Sequence, residues 1–192
     1  MEEAELRRFS GGYECPVCKF YYVPSIASDW DAHAEAHQFV VEPLEPIPFD
    51  AEKYMPADQS PQVFWPNSST DESVLHRIRQ YAAAFKREMR TDFIQWSIDY
   101  IDDDDFIRFL LVEKEKLVGG GAFLLIDGGW RLDWIWISPT RRRSGILREI
   151  WPSFKGAHPR LSCFVVAEPV SQNMKNHLIK VGWPMANQLR EF

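Results

Sequence analysis

The chain has 192 residues, 45% of them apolar and 14% aromatic, with Trp at eight positions, so it can build one ordinary core plus a small module and is too apolar for a disordered chain. The net charge is −6, and the three cysteines are an odd count for a complete disulfide framework, which points to a reducing, intracellular and cytoplasmic setting. No apolar run approaches the roughly 18 residues of a membrane-spanning helix, and the acidic opening Met1-Glu2-Glu3-Ala4-Glu5 lacks the apolar stretch of a signal peptide.

The first motif in chain order is Cys15-x2-Cys18-x14-His33-x3-His37. Two thiolates on a tight turn and two imidazoles one helical turn apart are the four N/S ligands a tetrahedral Zn²⁺ takes. Tyr22 and Trp30 sit where a Cys2His2 finger keeps its small core, and the inner loop is slightly long. The helix positions that would face bases are Ile26, Ser28, Asp29 and Ala32, none of them Arg, Lys, Asn or Gln. Residues 1–70 hold 4 Lys+Arg against 12 Asp+Glu, a net of −8, while residues 71–192 net +2. Phosphate neutralisation needs cations, so the module at 1–41 reads as structural or protein-contacting and not DNA-contacting.

Pro43, Pro46, Pro48, Pro56, Pro61 and Pro66 follow. They keep the backbone extended, and 42–61 reads as a linker or a strap along the main domain. The main domain, 62–192, opens with a short strand, Gln62-Val63-Phe64-Trp65. Ser69 and Glu72 have capping-box spacing, and the helix they start runs to about Arg90, with Val74, Leu75, Ile78, Tyr81, Ala82 and Phe85 on one face. A weaker helix covers Asp92 to Ile101, and Asp102 to Asp105 end it. Such an acidic run is a solvated turn or an attractor of a cationic substrate.

Three strands come next, Phe106–Val112, Leu117–Ile126 and Trp130–Ile137, joined by Glu113-Lys114-Glu115-Lys116 and Asp127-Gly128-Gly129. Gly119-Gly120-Gly121 marks a bulge or a place where a ligand approaches backbone. The Trp residues of the third strand read as core. A helix begins near Ser144, Leu161–Val166 is a buried-looking strand, and Ser171–Val181 is a last helix that Gly182 stops. Cys163 within that strand reads as a buried packing thiol with a raised pKa. A final strand is predicted at Asn187–Glu191. The order is β-α-α-β-β-β-α-β-α.

Between the third strand and its helix lies Ser138-Pro139-Thr140-Arg141-Arg142-Arg143-Ser144-Gly145-Ile146-Leu147. A basic turn that opens a helix aims backbone N–H groups and the positive end of the helix dipole at one point, which suits a pyrophosphate. Neither a Walker loop nor a dinucleotide fingerprint is present. Taken alone, three arginines in a turn also describe a solvated basic patch.

Pro139-x-x-Arg142-x-x-Gly145 resembles the acyl-CoA pyrophosphate loop of the GNAT acyltransferases, with Leu147 where that family has Gly or Ala. Ser171-x10-Gly182-Trp183 is similar to that family's last helix, with Leu178 at the place of its usual Tyr. The resemblance covers about residues 62–192 and implies an α/β (α+β) fold: a mixed, mostly antiparallel twisted sheet flanked by helices, preceded here by the zinc-finger module. It implies acetyl-CoA as cosubstrate. It places the cofactor on Ile135, Trp136 and Ile137 at the strand end, and on Arg141, Arg142, Arg143, Ser144, Gly145, Ile146 and Leu147 of the loop. The acceptor would enter between splayed strands.

A finger followed by such a domain resembles the layout of the cohesin acetyltransferases. Cys15-Pro16-Val17-Cys18 through Asp31-x-His33-x3-His37, then Arg131-x3-Ile135-Trp136-Ile137, look like parts of that family, and Ala167-Glu168-Pro169-Val170 is similar to its Ser-Asp-Pro-Thr segment. A nuclear setting is what that likeness implies for a eukaryotic chain.

An amine of pKa about 10.4 arrives protonated and must lose a proton before it attacks a thioester. Asp133 on the leading strand and Glu168 past the next one are the two candidates for the base, with His177 and His158 behind them. Three readings remain. One is an acetyl-CoA-dependent N-acetyltransferase acting on a protein lysine or another amine. The second is an inactive GNAT-fold binding module whose finger recruits a protein. The third is an acetyltransferase toxin acting on aminoacyl-tRNA.

Overall fold

In a computed structural model of the chain, the described residues are 3–54, 62–91, 103–161, 163–168 and 170–183. The helix predicted at 92–101 and the strand predicted at 187–191 lie outside them. The chain divides into two compact units, Met1–Leu44 and Glu45–Phe192.

The first unit carries α1 (Glu3–Leu6), a hairpin of β1 (Tyr13–Glu14) and β2 (Tyr21–Tyr22), and α2 (Ala27–Val41). Tyr13 pairs with Tyr22 and Glu14 with Tyr21. The turn between them closes through Cys15 N–H on Phe20 O at 2.9 Å and Lys19 N–H on Cys15 O at 2.9 Å, with Lys19 left-handed at φ 63°. The core of this unit is aromatic. Tyr22, 3% exposed, stacks on His33 at 3.9 Å and meets Trp30 edge-on at 6.0 Å.

The second unit contains β3 (Ile47–Pro48), α3 (Ala51–Tyr54), β4 (Gln62–Phe64), α4 (Glu72–Met89), β5 (Phe106–Glu113), β6 (Lys116–Ile126), β7 (Gly129–Ile137), α5 (Ile146–Ala157), β8 (Phe164–Val166) and α6 (Gln172–Val181). The sheet runs β4-β5-β6-β7-β8, with β3 beside the start of β6. Every pair is antiparallel except β7 with β8. Two residues of the Pro-rich segment thus join the sheet, Ile47 opposite Leu117 and Pro48 opposite Lys116. Pro lacks an N–H, and a two-residue strand is as much as such a segment can add.

Alternation along the strands fixes two packed faces. Ile107, Phe109, Leu111, Val118, Phe123 and Leu132 meet α5 and α6 through Ile150, Trp151, Phe154, Met174 and Leu178. The other face meets α4, where Tyr81 stacks on Trp136 at 5.4 Å and Phe85 lies 6.2 Å from Trp134. The apolar stripe predicted for α4 is this buried face.

Three local expectations are corrected. The capping box does not form, because the hydroxyls upstream of α4 serve a preceding turn. Asn67 Oδ1 accepts from Ser69 N–H (2.9 Å) and Ser69 Oγ (2.6 Å), and Thr70 Oγ1 accepts from Asn67 N–H (3.0 Å). Asp71 is the N-cap instead, and its carboxylate pairs with Lys53 at 2.5 Å. The strand predicted at 161–166 begins only at Phe164, after a 3₁₀ turn at Pro159–Leu161. Cys163 therefore falls in a bend and is exposed, not a buried packing thiol. The start and stop of the last helix agree with the sequence: Ser171 Oγ accepts from Met174 N–H at 3.2 Å, and Gly182 caps at φ 65°.

Candidate functional site

Two sites stand out, one in each unit. In the first, Cys15 leaves β1, Cys18 sits on the turn, and α2 presents His33 and His37 one turn apart. One ligand atom from each lies within 4.8 Å of all the others. Cys15 Sγ is 3.4 Å from His37 Nδ1. His33 Nε2 is buried and receives no hydrogen bond of normal geometry. Burial opposes ionisation of the Cys15 thiol. The backbone N–H groups of Cys18 and Val17 and the two imidazoles outweigh it and bring the thiol down to about 6. At Cys18, burial and the neighbouring Cys15 push the other way. Two thiols and two imidazoles converging on one point, one of them with an orphaned ring nitrogen, fit a four-coordinate metal.

The second site is a cleft of about 590 Å³ between β7, β8, the start of α5 and α6. It exists because β7 leaves β8. The two strands pair at Trp130↔Phe164, Arg131↔Val165 and Leu132↔Val166, and Ala167 N–H reaches Leu132 O at 2.9 Å. Beyond that point Trp134 to Ile137 have no strand partner on this side among the described residues. The parting coincides with a bulge. Phe123 faces Leu132 and Ala122 faces Trp134, so Asp133 is the extra residue of β7. Leu132 and Trp134, two apart, consequently face opposite sides of the sheet.

The glycines of β6 permit the crossing. A Cβ on Gly119 would lie 2.3 Å from Trp136 O, and one on Gly121 would lie 2.5 Å from Trp134 O. The backbone that comes close to Gly119 and Gly121 is that of β7.

At the loop, Pro139–Arg141 is a 3₁₀ turn, Arg143 is left-handed at φ 63°, and Gly145 caps α5 at φ 94°. Gly145, the N-cap residue, has no side chain with which to cap α5. The first N–H groups of a helix have no partner within it, so this end, with Ile146 and Leu147, offers donors and the positive end of the dipole to the cleft. Ile135, Trp136, Ile137, Arg141, Arg142, Arg143, Gly145, Ile146 and Leu147 all line it. Ser144 does not; its hydroxyl donates to Arg141 O at 2.7 Å.

The three arginines are not equivalent. Arg141 pairs with Glu113. Arg142 reaches both oxygens of Glu88, at 2.8 and 2.5 Å, and donates Nε–H to Ile137 O at 2.8 Å. Arg143 and Arg148 have no such partner among the described residues.

Asp133 lines the cleft, 11% exposed at its side chain, and pairs with Arg131 at 2.7 Å. Glu168 is exposed and does not line it. His177 does line the cleft, and its ring lies edge-on to Trp151 at 5.0 Å. Burial, with the Lys180 charge, holds His177 below the ordinary imidazole value. His158 is likewise lowered, by burial and by Arg160, and packs on Trp65 away from the cleft residues. Leu178, at the usual Tyr position, is a core residue 1% exposed.

Phe85, Glu88 and Met89 complete the lining from α4. The sequence reading placed Phe85 on the apolar face of the helix but not at the cleft, and it passed over Glu88 and Met89, although 88 and 89 continue the helical period of the Tyr81 and Phe85 face. Among the described residues, no helix is long and apolar enough to cross a membrane.

No family model and no curated protein sequence matches the chain. Solved structures do. The ribosomal-protein-alanine N-acetyltransferase from Brucella melitensis biovar Abortus 2308 aligns with a TM-score of 0.51 at 15% identity, over 67% of this chain and 94% of that one. A predicted acetyltransferase from Clostridium acetobutylicum with acetyl-CoA gives a TM-score of 0.49 at 11% identity, over 68% and 96%. An aminoglycoside acetyltransferase from an uncultured soil metagenomic sample gives 0.48 at 13%, over 66% and 90%. The chain has the GNAT acetyltransferase fold: a mixed, mostly antiparallel sheet flanked by helices, with a Cys/His cluster near its N-terminus.

Proposed function

We propose that the chain is an acetyl-CoA-dependent N-acetyltransferase whose first unit is organised by a structural Zn²⁺. The observation that carries the reading is the parted pair β7 and β8 ending at an uncapped helix N-terminus. Cys15, Cys18, His33 and His37 would hold the zinc, the metal this donor set prefers.

The pyrophosphate of an acyl-CoA would sit on the backbone N–H groups opening α5, beside Arg143. The extended arm would then lie along the edge of Trp134 to Ile137, which no strand pairs on this side among the described residues. Bound there, an acyl-CoA supplies a thioester whose acyl carbon takes the acceptor amine, the electron pair of the broken C–S bond leaving on sulfur. Free N–H groups of the same edge would hold charge developing on the thioester oxygen.

The chain's own task is then the proton. Asp133, displaced into the cleft by the bulge, would take it from the ammonium directly or through water, its carboxylate held by Arg131. Glu168 is the second candidate. The acceptor is a protein lysine or another amine. The finger, net acidic and without base-reading side chains, contacts protein and not DNA in this reading.

One observation favours a second reading. Leu178 is buried where the family usually keeps a Tyr hydroxyl, so the chain supplies no phenol there, as in an inactive binding module. Thiol release from acetyl-CoA in the presence of amine acceptors tests the choice. Release above the hydrolysis background, lost in Asp133→Asn, supports the enzyme. Binding without release for every amine class, peptides and aminoacyl-tRNA included, supports the module.

A further inference from the structure

Glu88 ends α4 one turn after Phe85, and nothing above uses its carboxylate. That carboxylate is the meeting point of three elements. It accepts from Trp136 Nε1–H at 3.1 Å and from both terminal nitrogens of Arg142, at 2.8 and 2.5 Å. Trp136 in turn stacks on Tyr81 of α4 and is 4% exposed. The guanidinium of Arg142 lies 5.4 Å from the Trp136 ring, while its Nε–H is bonded to Ile137 O at 2.8 Å.

All three guanidinium nitrogens of Arg142 are therefore committed to protein oxygens. A planar fork spent in this way fixes geometry as well as charge. The backbone just after it needs fixing. Arg143 adopts φ 63° without being glycine, and Gly145 follows at φ 94°. A non-glycine residue in that region costs about 1–2 kcal/mol and persists only where its surroundings over-determine it.

We propose that Glu88 is a positioning residue for cofactor binding: by latching Arg142 and Trp136 it holds the turn 138–145 so that the N–H groups opening α5 face the pyrophosphate. Arg142 is then the anchor of the loop and not a phosphate ligand, and the free cations at the phosphates are Arg143 and Arg148. The inference rests on the acyl-CoA reading above.

A phosphate contact and a latch respond differently to Arg142→Lys. Lysine serves phosphate as a point charge but cannot reproduce a bidentate fork. Acetyl-CoA is titrated into the full chain, its Glu88→Gln, Arg142→Lys and Arg142→Gln variants, and the Glu88→Gln/Arg142→Lys double variant. The latch predicts that each single change weakens acetyl-CoA about tenfold, near the lower worth of one charge-assisted hydrogen bond. It also predicts that Lys is no better than Gln and that the double variant is no worse than the weaker single. In turnover, KM for acetyl-CoA rises much more than kcat falls.

Two readouts need no ligand. In Glu88→Gln the indole N–H resonance of Trp136 shifts, and the amides of 140–147 exchange faster. Retained affinity in Arg142→Lys with loss in Arg142→Gln overturns the proposal, as does an indole resonance and loop exchange unchanged in Glu88→Gln. If the unaltered chain binds no acetyl-CoA, the cofactor reading fails, and the proposal fails with it. The resonance and exchange would then report only whether the Glu88 contacts order the turn.

Discussion

The Cys/His knot of the first unit and the cleft beside β7 in the second are built by opposite means. The knot draws its four ligands from residues 15–37 and its core from Tyr22, Trp30 and His33. A short stretch of chain brings the whole constellation together. The cleft draws on α4, β7, β8, α5 and α6, and it opens where the pairing of β7 with β8 ends, next to the extra residue Asp133 in the pairing of β7 with β6. A knot of this kind fails as a unit, whereas a cleft assembled from distant elements loses function in steps.

The sharpest way to break the comparison is to remove the metal. Chelation or Cys18→Ala should strip about one zinc per chain and abolish amide protection across residues 13–41, since structural zinc supplies on the order of 10 kcal/mol to such folds. Metal analysis and hydrogen exchange read this, and protection that survives without metal would contradict it.

The cleft should lose turnover before it loses cofactor. Asp133→Asn should lower the rate by about 10²–10⁴-fold, the usual worth of a general base, while acetyl-CoA affinity stays. The same behaviour in Glu168→Gln with Asp133→Asn unaffected would transfer the role to Glu168.

The strand crossing gives a smaller effect. Gly119→Ala drives a methyl against Trp136 O, 2.3 Å from the new carbon, and should cost about 1–3 kcal/mol in denaturant unfolding, in the manner of other overpacked cores. Gly145→Ala, at φ 94°, should cost about 1–2 kcal/mol and loosen the loop with it.

The smallest effect is a pH slope. Burial lowers the imidazole pKa of His177 and of His158 below the ordinary 6.5. The unfolded chain therefore binds more protons than the folded one between the lowered values and 6.5, and stability falls as pH drops through that window. Thermal unfolding midpoints from pH 7.5 to about 5.5 should decline, and His177→Asn should flatten part of the decline.

What the sequence disclosed follows the same division. The ligand spacing, Tyr22 and Trp30 were legible because each lies a fixed number of residues from its partner. The strands at 106–137 were legible because their turns carry Gly and charge, and Ser171 and Gly182 because caps are local. The fold class came from the family likeness of the loop and the last helix, with which the order of those elements agrees. The capping box was misread because Asn67, two residues before Ser69, competes for the same hydroxyls. Cys163 was misread because nothing in an apolar run says at which residue pairing begins. The helical period put Glu88 on the face of Tyr81 and Phe85, but its contacts were invisible because its partners, Trp136 and Arg142, are roughly fifty residues away, a separation no motif spans. The parting of β7 and β8 was implied only by a family likeness, since a bulge is a property of two strands in register and leaves no mark on one of them.

Isothermal titration of the full chain with acetyl-CoA tests the account most directly. Saturable heat with one site per chain, weakened by Gly145→Ala at the uncapped start of α5, is the result it predicts. No heat and no thermal shift at millimolar acetyl-CoA would contradict it.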